Sequence, residues 1–401
     1  MLRHRNLRLL VTGGTVSQFG SAITPIALAF AVLDLGGSAT QLGLVEAVFA
    51  LCEVATTLFG GVLGDRVPRK VVMEGSAALC AVVTGAMAAL VVLDVATIPL
   101  LAVFGGLNGV IGAINGPSSR AMTPLVVPAE EARQAVAVRS VFSTLTMTAG
   151  FALAGVLVAL LGPGWSIGID AATYVVAAIA FSLMRVPQTL TPSGASMLGD
   201  LGEGLREVLK HSWLWFLILQ ALLYHLFFGG AQSVLGPIVV SGELGRQAWG
   251  FALSALMAGF VIGGLVCLRW HPRHALRTGV LALTLTGFFP LAMALSDNLL
   301  VLLAGAFAHG FGLQIFSVFW ESSINAAVPP EKLARVHAFD SVGSFIARPI
   351  GLALTGPVAT AAGYDTWLIV VACVVSGSSL LALTFSGVRH LQAMPPPGVT
   401  G

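Results

Sequence analysis

Residues 366–386 read TWLIVVACVVSGSSLLALTFS, a stretch of 21 residues without a charged side chain. An α-helix rises about 1.5 Å per residue, so about 20 apolar residues cross the hydrocarbon core of a bilayer. The stretch therefore predicts a transmembrane helix. The rest of the chain contains eleven more windows of this kind. The twelve predicted spans are residues 8–33, 40–64, 71–93, 96–118, 138–161, 166–185, 213–239, 248–268, 277–296, 299–323, 337–361 and 366–386.

The composition of the whole chain supports a membrane protein. Of its 401 residues, 56% are hydrophobic and only 9% are charged, whereas soluble domains carry roughly a quarter charged residues. The longest polar stretch, 186–212, is too short for a soluble domain. We therefore predict an all-α protein embedded in the lipid bilayer, without a large extramembrane catalytic unit.

The distribution of basic residues predicts the topology. If the N-terminus is cytoplasmic, the even-numbered loops hold the basic residues and the odd-numbered loops hold only Arg246. By the positive-inside rule, both termini are then cytoplasmic, and these residues orient the chain and do not bind nucleic acid. The 17 arginines and 3 lysines favour a bacterial source, which predicts the bacterial cytoplasmic (inner) membrane. The basic residues of the even-numbered loops are Arg66, Arg69, Lys70, Arg120, Arg133, Arg206, Lys210, Arg269, Arg273, Lys332 and Arg335.

Motifs for enzymatic chemistry are missing from the sequence. The four cysteines lie inside predicted spans without the spacing of metal ligands, and no Walker A loop is present. We therefore expect no metal, no cofactor, no enzymatic activity and no ATP-driven transport.

A duplication divides the chain into two halves. The segment from Arg139 to Gly155 aligns without gaps on the segment from Asp340 to Gly356, with seven identical positions. Because each half contains six spans, the halves have the same orientation and form parallel, pseudo-symmetric repeats. Glycines at equivalent positions of spans five and eleven predict close helix contacts. The predicted parts are a first half (1–185), a linker with a short interfacial helix (186–212), a second half (213–388) and a cytoplasmic tail (389–401).

Residues 61–70, GVLGDRVPRK, resemble the loop 2–3 signature of the major facilitator superfamily, with Pro68 in place of a glycine. The resemblance extends over residues 3–388. The segments SIGIDAATY (166–174) and PLVVP (124–128) are similar to the drug/proton antiporter branch that contains macrolide and enterobactin exporters. The resemblance implies the twelve-helix major facilitator fold and transport by alternating access.

The signature loop also implies a conformational latch, a set of contacts that holds the outward-open state of the transporter. In the family, the acid of this loop faces the start of span eleven, and its arginines pair with acids on neighbouring helices. The alternative is a basic turn that only fixes the topology. The predicted latch residues are Gly61, Asp65, Arg66, Arg69, Lys70 and Asp340.

Ionisable side chains at membrane depth are the strongest pointers to function, because a charge in hydrocarbon is costly. Glu46 and Glu53 lie seven residues apart on one face of span two. Glu53, near the middle, is the better candidate for a proton-binding carboxylate, and a packing hydrogen bond is the alternative. Similar exporters often carry an acid in span one after Gly20, but this chain has Ser21, which moves the predicted proton site to span two.

Four further charges are predicted to be paired. Glu321 is expected to meet Arg120 or Arg348. Arg139 is expected either to join Asp340 in one cytoplasmic charge cluster or to cap its own helix.

The resemblance implies that the first and fourth helices of each half line a central cavity, here largely apolar with a few amides, aromatic rings and one or two carboxylates. This lining favours an amphipathic organic solute. Two histidines at mid-depth in spans seven and ten are candidates for binding substrate or carrying a proton. For the two histidines, a neutral hydrogen-bonded structural role is the alternative. The predicted cavity residues are Ser17, Gln18, Ser21, Thr24, Asn108, Asn115, Gln220, Tyr224, His225, Phe228, Gln232, His309 and Gln314.

The sequence thus predicts a secondary transporter, in the form of a monomeric antiporter that exports a drug or secondary metabolite in exchange for protons. A nutrient symporter or facilitator of the same fold is the alternative. A membrane receptor or scaffold without transport activity is the alternative from a different class.

Overall fold

The computed structural model describes residues 4–64, 67–186, 197–270 and 272–390, and these residues form helices and connecting turns without a β-strand. The helices are α1 (Arg5–Asp34), α2 (Ala39–Gly64), α3 (Arg69–Val92), α4 (Ile98–Met122), α5 (Ala132–Ser182), α6 (Met197–Lys210), α7 (Ser212–Gly230), α8 (Gly236–Leu244), α9 (Arg246–Arg269), α10 (Ala275–Leu283), α11 (Phe288–Leu295), α12 (Leu299–Ala327), α13 (Pro330–Phe345), α14 (Arg348–Ala362), α15 (Tyr364–Ala382) and α16 (Ser386–His390).

Eleven helical segments of the described residues are long and apolar enough to cross a membrane. One of them, Ala129–Ser182, has 54 residues and would be about 80 Å long as one helix, more than twice the hydrocarbon thickness. The chain breaks inside it at Gly162, whose φ of 81° and ψ of 166° are not helical, just before Pro163. This segment therefore contains two spans, and the predicted all-α fold with twelve spans is confirmed.

Three spans are interrupted in ways that the hydropathy pattern does not predict. A π-helix at Ala231–Leu235 separates α7 from α8, and a 3-10 turn at Thr284–Gly287 separates α10 from α11. In the eleventh span, α13 ends at Phe345 and α14 begins at Arg348, before Pro349. Proline cannot donate the backbone hydrogen bond of a helix interior. Such breaks release backbone carbonyls for side-chain donors.

The helical chain divides into two compact units. The first contains residues 1–194, 233–254 and 352–357, and the second contains 195–232, 255–351 and 358–401. The division differs from the predicted halves mainly in two short segments of the second half, which pack with the first.

In the first unit, α1 packs along α5, α3 packs against α4 and α5, and α2 packs against α4. Glycines allow these helices to touch. A Cβ atom on Gly20 of α1 would lie 2.9 Å from the Cα of Asp170 and would overlap that residue's carboxylate. A Cβ on Gly155 of α5 would lie 2.9 Å from the carbonyl oxygen of Arg246. The predicted role of the glycines of span five as contact points is confirmed for Gly150 and Gly155.

In the second unit, α10 and α12 pack together around an apolar core. The helix expected in the linker is α6, which docks on α13 through ion pairs. Glu207 of α6 accepts hydrogen bonds from Lys210 at 2.7 Å and Lys332 at 2.8 Å. Glu203 pairs with Arg335 at 2.5 Å. The apolar core of the second unit includes Trp213, Leu217, Leu276, Phe316 and Val336.

Candidate functional site: two buried polar clusters

The carboxylates predicted for proton coupling lie on α2. Glu46 is buried and Glu53 is half-buried, and each has an interaction within the fold. A Cβ on Gly109 of α4 would lie 2.6 Å from the carbonyl oxygen of Phe49 and 3.3 Å from the amide of Glu53. Helix α4 therefore touches α2 beside Glu53. The structure places Glu53 at a helix–helix contact within the first unit.

A third carboxylate is more completely buried than those of Glu46 and Glu53. Asp170, on the second span of α5, is 1% exposed. The Thr24 hydroxyl of α1 donates a hydrogen bond to its Oδ2. The Thr173 hydroxyl lies 3.2 Å from its Oδ1 and 2.7 Å from its backbone carbonyl oxygen. The carboxyl group is thus held by hydroxyl groups from two helices.

The described groups around Asp170 are polar and carry no charge. Ser21 donates its proton to the carbonyl oxygen of Ser17 at 2.8 Å. The Tyr174 hydroxyl, 2.9 Å from the Ser21 oxygen, is therefore the donor between these two. The thiol of Cys80 on α3 interacts with Tyr174 and is within electrostatic range of Asp170. Two residues predicted for the cavity, Ser21 and Thr24, are thus bonded to the sixth span.

Asp170 was not predicted as a functional residue. The residue entered the prediction only as part of the segment 166–174 that is similar to other exporters. A carboxylate inside an uninterrupted apolar window is by itself a signal. The periodicity of the sequence does not show which helix packs against this carboxylate. Its partner Thr24 lies 146 residues away along the chain.

The remaining polar residues of α1 and α4 are spread along the first unit. Ser17 and Gln18 are half-buried. Asn108 accepts a hydrogen bond from Thr84 at 3.3 Å. The side-chain oxygen of Asn115 is buried without a hydrogen-bond partner in the described part of the chain.

Arg139 binds the end of α4. Its guanidinium donates to the backbone and hydroxyl oxygens of Ser119 and, at 2.7 Å, to the hydroxyl of Thr123. A cation at a helix C-terminus is favoured by the unpaired carbonyls there. Arg120, one residue from Ser119, is exposed.

The signature loop is only partly described. Asp65 and Arg66 lie outside the described residues, and Gly61 is part of α2. Arg69 donates to the carbonyl oxygen of Ala121 at 3.4 Å, and Lys70 donates to that of Ser182 at 2.8 Å. The latch remains a prediction.

The second cluster lies in the second unit around His309, which is 1% exposed. Its Nδ1 is 2.7 Å from the carbonyl oxygen of Thr286, in the 3-10 turn that interrupts the ninth span. A carbonyl only accepts, so Nδ1 carries the proton and Nε2 accepts from Tyr224 at 2.8 Å. Phe228 stacks on the imidazole with ring centroids 4.2 Å apart. This geometry satisfies a neutral histidine completely.

The other predicted cavity residues of the second unit have partners outside this cluster or are partly buried. Gln220 donates to Ser379 at 3.1 Å, and its side-chain oxygen is buried without a partner among the described residues. His225 contacts the carbonyl oxygen of Ala221 at 2.8 Å. Gln232 and Gln314 are half-buried.

The predicted charges of the second unit have separate surroundings. Asp340 accepts from the indole of Trp320 at 3.0 Å and from Ser344 at 3.3 Å. Glu321 is exposed, whereas Arg348 is half-buried and has an interaction within the fold. The predicted pairing of Glu321 therefore stays a prediction.

A cavity of about 610 Å³ lies between α11 and α12 of the second unit. It is lined by side chains without a charge, mostly apolar, such as Phe288, Leu291 and Leu295. It contains none of the predicted site residues. In the described ranges, no group of three or more His, Cys, Asp or Glu residues has the arrangement of a metal site.

Comparison with known proteins identifies a family and several relatives of this chain. The family model of the Major Facilitator Superfamily matches residues 10–273. Macrolide efflux protein A of Streptococcus pyogenes is 22% identical over 399 residues, which cover 95% of this chain and 96% of that protein. The multidrug efflux pump Tap of Mycolicibacterium fortuitum is 24% identical over 407 residues, which cover 98% of each.

Solved structures show the same fold at low identity. A bacterial homologue of the human lysosomal transporter Spinster has a TM-score of 0.77 at 16% identity, over 99% of this chain and 100% of that one. The nucleoside transporter NupG has a TM-score of 0.74 at 13% identity, over 95% and 97%. The family model covers 264 of the 401 residues, and this multi-pass membrane protein belongs to the Major Facilitator Superfamily.

Proposed function

We propose that the chain exports a small amphipathic organic compound, a drug or secondary metabolite, in exchange for protons by alternating access. The observation that carries the proposal is the match to two efflux proteins over at least 95% of the chain. Buried polar clusters inside apolar spans support a solute with both polar and apolar parts.

The proton-coupling part of the proposal rests on acids at membrane depth. Glu53, with Glu46 in a secondary role, binds a proton in one state and releases it in the other. A charged carboxylate in hydrocarbon is costly, so the bound proton lowers the free energy of a state that shields the group from water. Solute and proton then occupy the transporter in turn.

We further propose an oligomeric state, a location and an orientation for the protein. It works as a monomer in the bacterial cytoplasmic membrane, with both termini in the cytoplasm, and the signature loop with Asp65 and Asp340 biases the conformational equilibrium. Its partners are protons, the lipid bilayer and the solute. The bias of basic residues toward the even-numbered loops supports this orientation.

Reconstituted liposomes test the exchange directly. The probe is ethidium, whose permanent charge prevents passive trapping in an acidic lumen, and the membrane potential is clamped with K⁺ and an ionophore. An antiporter accumulates ethidium in acid-inside liposomes. Accumulation only in acid-outside liposomes indicates a symporter, gradient-independent equilibration indicates a facilitator, and an absence of flux indicates a receptor. The last three outcomes contradict the proposal.

Glu53→Gln tests the predicted proton site. The amide keeps the shape of the side chain but cannot exchange a proton, so we expect loss of accumulation driven by the pH gradient. Glu130→Gln, at an exposed carboxylate before α5, is the matched control and leaves transport unchanged. Full gradient-driven transport by Glu53→Gln contradicts the role of Glu53.

A further inference from the structure

We propose that Asp170 is a proton-binding site of this transporter, assembled by α1 against the second span of α5. The inference rests on the proposed proton exchange and names a carboxyl group that the sequence prediction did not use. It stands on the position of Asp170 between helices, on its hydrogen-bond partners and on the close approach at Gly20.

The groups around Asp170 determine whether its carboxyl group is ionised. The titratable groups that face it are Tyr174 from its own helix and Cys80 from α3, and both are neutral when protonated. From α1 it meets Thr24, which has no charge. The ion pairs of the described residues do not include Asp170. None of these groups in the described part of the chain compensates a negative charge on Asp170.

The carboxyl group of Asp170 has fewer hydrogen-bond donors in the described structure than an ionised carboxylate can use. A carboxylate has about four acceptor sites. Thr24 donates to Oδ2, whereas the Thr173 hydroxyl oxygen is 2.7 Å from the backbone carbonyl oxygen of Asp170 and 3.2 Å from Oδ1, so its single proton goes to the carbonyl. An ionised Asp170 would have one committed donor. A proton on Oδ1 of Asp170 has an acceptor in the Thr173 hydroxyl oxygen, 3.2 Å away, so this conformation binds the proton, since an unpaired buried charge is costly.

The proton of Asp170 has a route of release on the side of Ser21. Ser21, three residues before Thr24 on α1, is exposed, and its hydroxyl meets Tyr174 at 2.9 Å. At Gly20 the backbone of α1 touches Asp170, so a displacement of α1 changes the surroundings of the carboxyl group directly. When water reaches Asp170 from the Ser21 side, the O–H bond breaks, the electron pair stays on the carboxylate and a water molecule accepts the proton.

Infrared spectroscopy of the purified protein in lipid bilayers tests proton binding without any solute. The wild type should show the carbonyl stretch of a protonated carboxylic acid, which disappears as the pH rises. The spectrum of the wild type minus that of Asp170→Asn should contain a titrating carbonyl band, and the same band should remain in Glu53→Gln and Glu46→Gln. The absence of this difference band overturns the proposal.

A second variant guards against misfolding of Asp170→Asn. Thr24→Val keeps the carboxyl group but removes its committed donor, which stabilises the ionised form more than the neutral form. The band should therefore persist to higher pH than in the wild type. An unchanged titration with Thr24→Val contradicts the assignment of the band to Asp170.

Ethidium transport separates a proton site from a structural contact. In Asp170→Asn the amide oxygen still accepts from Thr24, so exchange of ethidium between equal pools should survive while accumulation driven by the pH gradient is lost. Equal loss of both activities, or loss of neither, contradicts the proposal. If the wild type moves no ethidium along a pH gradient, the proposed function fails, and the infrared titration still decides whether Asp170 binds a proton.

Discussion

The guanidinium of Arg246 forms an ion pair with the carboxylate of Asp34 inside the first unit, with Nη1 3.1 Å from Oδ2. Asp34 ends α1 and Arg246 begins α9, so the pair joins two chain segments 212 residues apart. The guanidinium also lies 4.9 Å from the centre of the Phe30 ring. Nearby, α5 and α9 touch through Gly155 and Gly250, where a Cβ on Gly250 would lie 2.7 Å from the carbonyl oxygen of Phe151. This arrangement brings the ends of the first and eighth spans together.

Alternating access predicts that these ends separate during transport. Replacing Asp34 and Arg246 with cysteines, in a background without the four native cysteines, allows a disulfide to lock them. We expect oxidant to block ethidium transport and reductant to restore it. Each single-cysteine variant is the control and stays active under oxidant. Undiminished transport by a fully cross-linked protein contradicts the prediction.

Removing the ion pair without a cross-link should have a small effect. Both side chains are more than a third exposed, and exposed ion pairs contribute about 0–1 kcal/mol. Arg246→Lys loses the forked geometry and the contact with Phe30. We expect a shift of at most about fivefold in the ratio of conformational states, measured from distances between spin labels. A tenfold or larger shift shows that the pair contributes more than its exposure implies.

The contact between α1 and α5 at Gly20 predicts a strong steric effect. In Gly20→Ala the new methyl group would overlap the side chains of Thr173 and Asp170 and lie 2.9 Å from the Cα of Asp170, which a rotamer change cannot relieve. We expect a loss of about 1–3 kcal/mol in stability, measured by thermal unfolding in detergent.

Gly14→Ala is the matched control on the same helix. A Cβ on Gly14 meets nothing within 4 Å, and alanine is the better helix former. This variant should be as stable as the wild type or slightly more stable. Equal destabilisation by both substitutions would indicate that the glycines matter through the helix itself and not through the contact at Asp170.

Tyr224→Phe tests the structural reading of His309. The variant leaves the buried Nε2 without its donor, which costs about 1–3 kcal/mol. We expect a lower unfolding temperature and an unchanged pH dependence of transport. Tyr364→Phe, at a half-buried tyrosine at the start of α15, is the control. A normal unfolding temperature with an altered pH profile favours proton transfer through His309.

Several features of the fold could be predicted because they depend on local sequence. Apolar length predicts the spans, and Gly162 with Pro163 marks the break between the fifth and sixth, where only glycine easily adopts a φ of 81°. The start of α13 at Pro330 was not predicted, because this stretch, with Lys332 and Arg335, is too polar for a hydropathy window.

The site was harder to predict because its contacts join distant parts of the chain. Hydropathy identifies a carboxylate inside a span but not the helix that faces it. Glu53 was favoured for its depth, whereas the structure gives Asp170 the lower exposure and a defined set of hydroxyl partners. The proton of His309 is likewise placed by the carbonyl of Thr286, which the break between α10 and α11 releases.

The docking of α6 on α13 predicts a dependence on pH. Hydrogen bonds from Lys210 and Lys332 lower the pKa of Glu207 from 4.5 to about 2. A lowered pKa in the folded state means that the stabilisation is complete above pH 4.5 and is lost as the pH falls toward 2.

A spin label at position 205, on an exposed side chain of α6, should stay immobile at pH 4.5 and become mobile as the pH approaches 2. In Glu207→Gln the label should be mobile at pH 7, whereas Glu203→Gln, which removes a more exposed pair with Arg335, should leave it immobile. Mobility that rises around pH 4.5 in the wild type would show that the two lysines do not hold Glu207 in its ionised form.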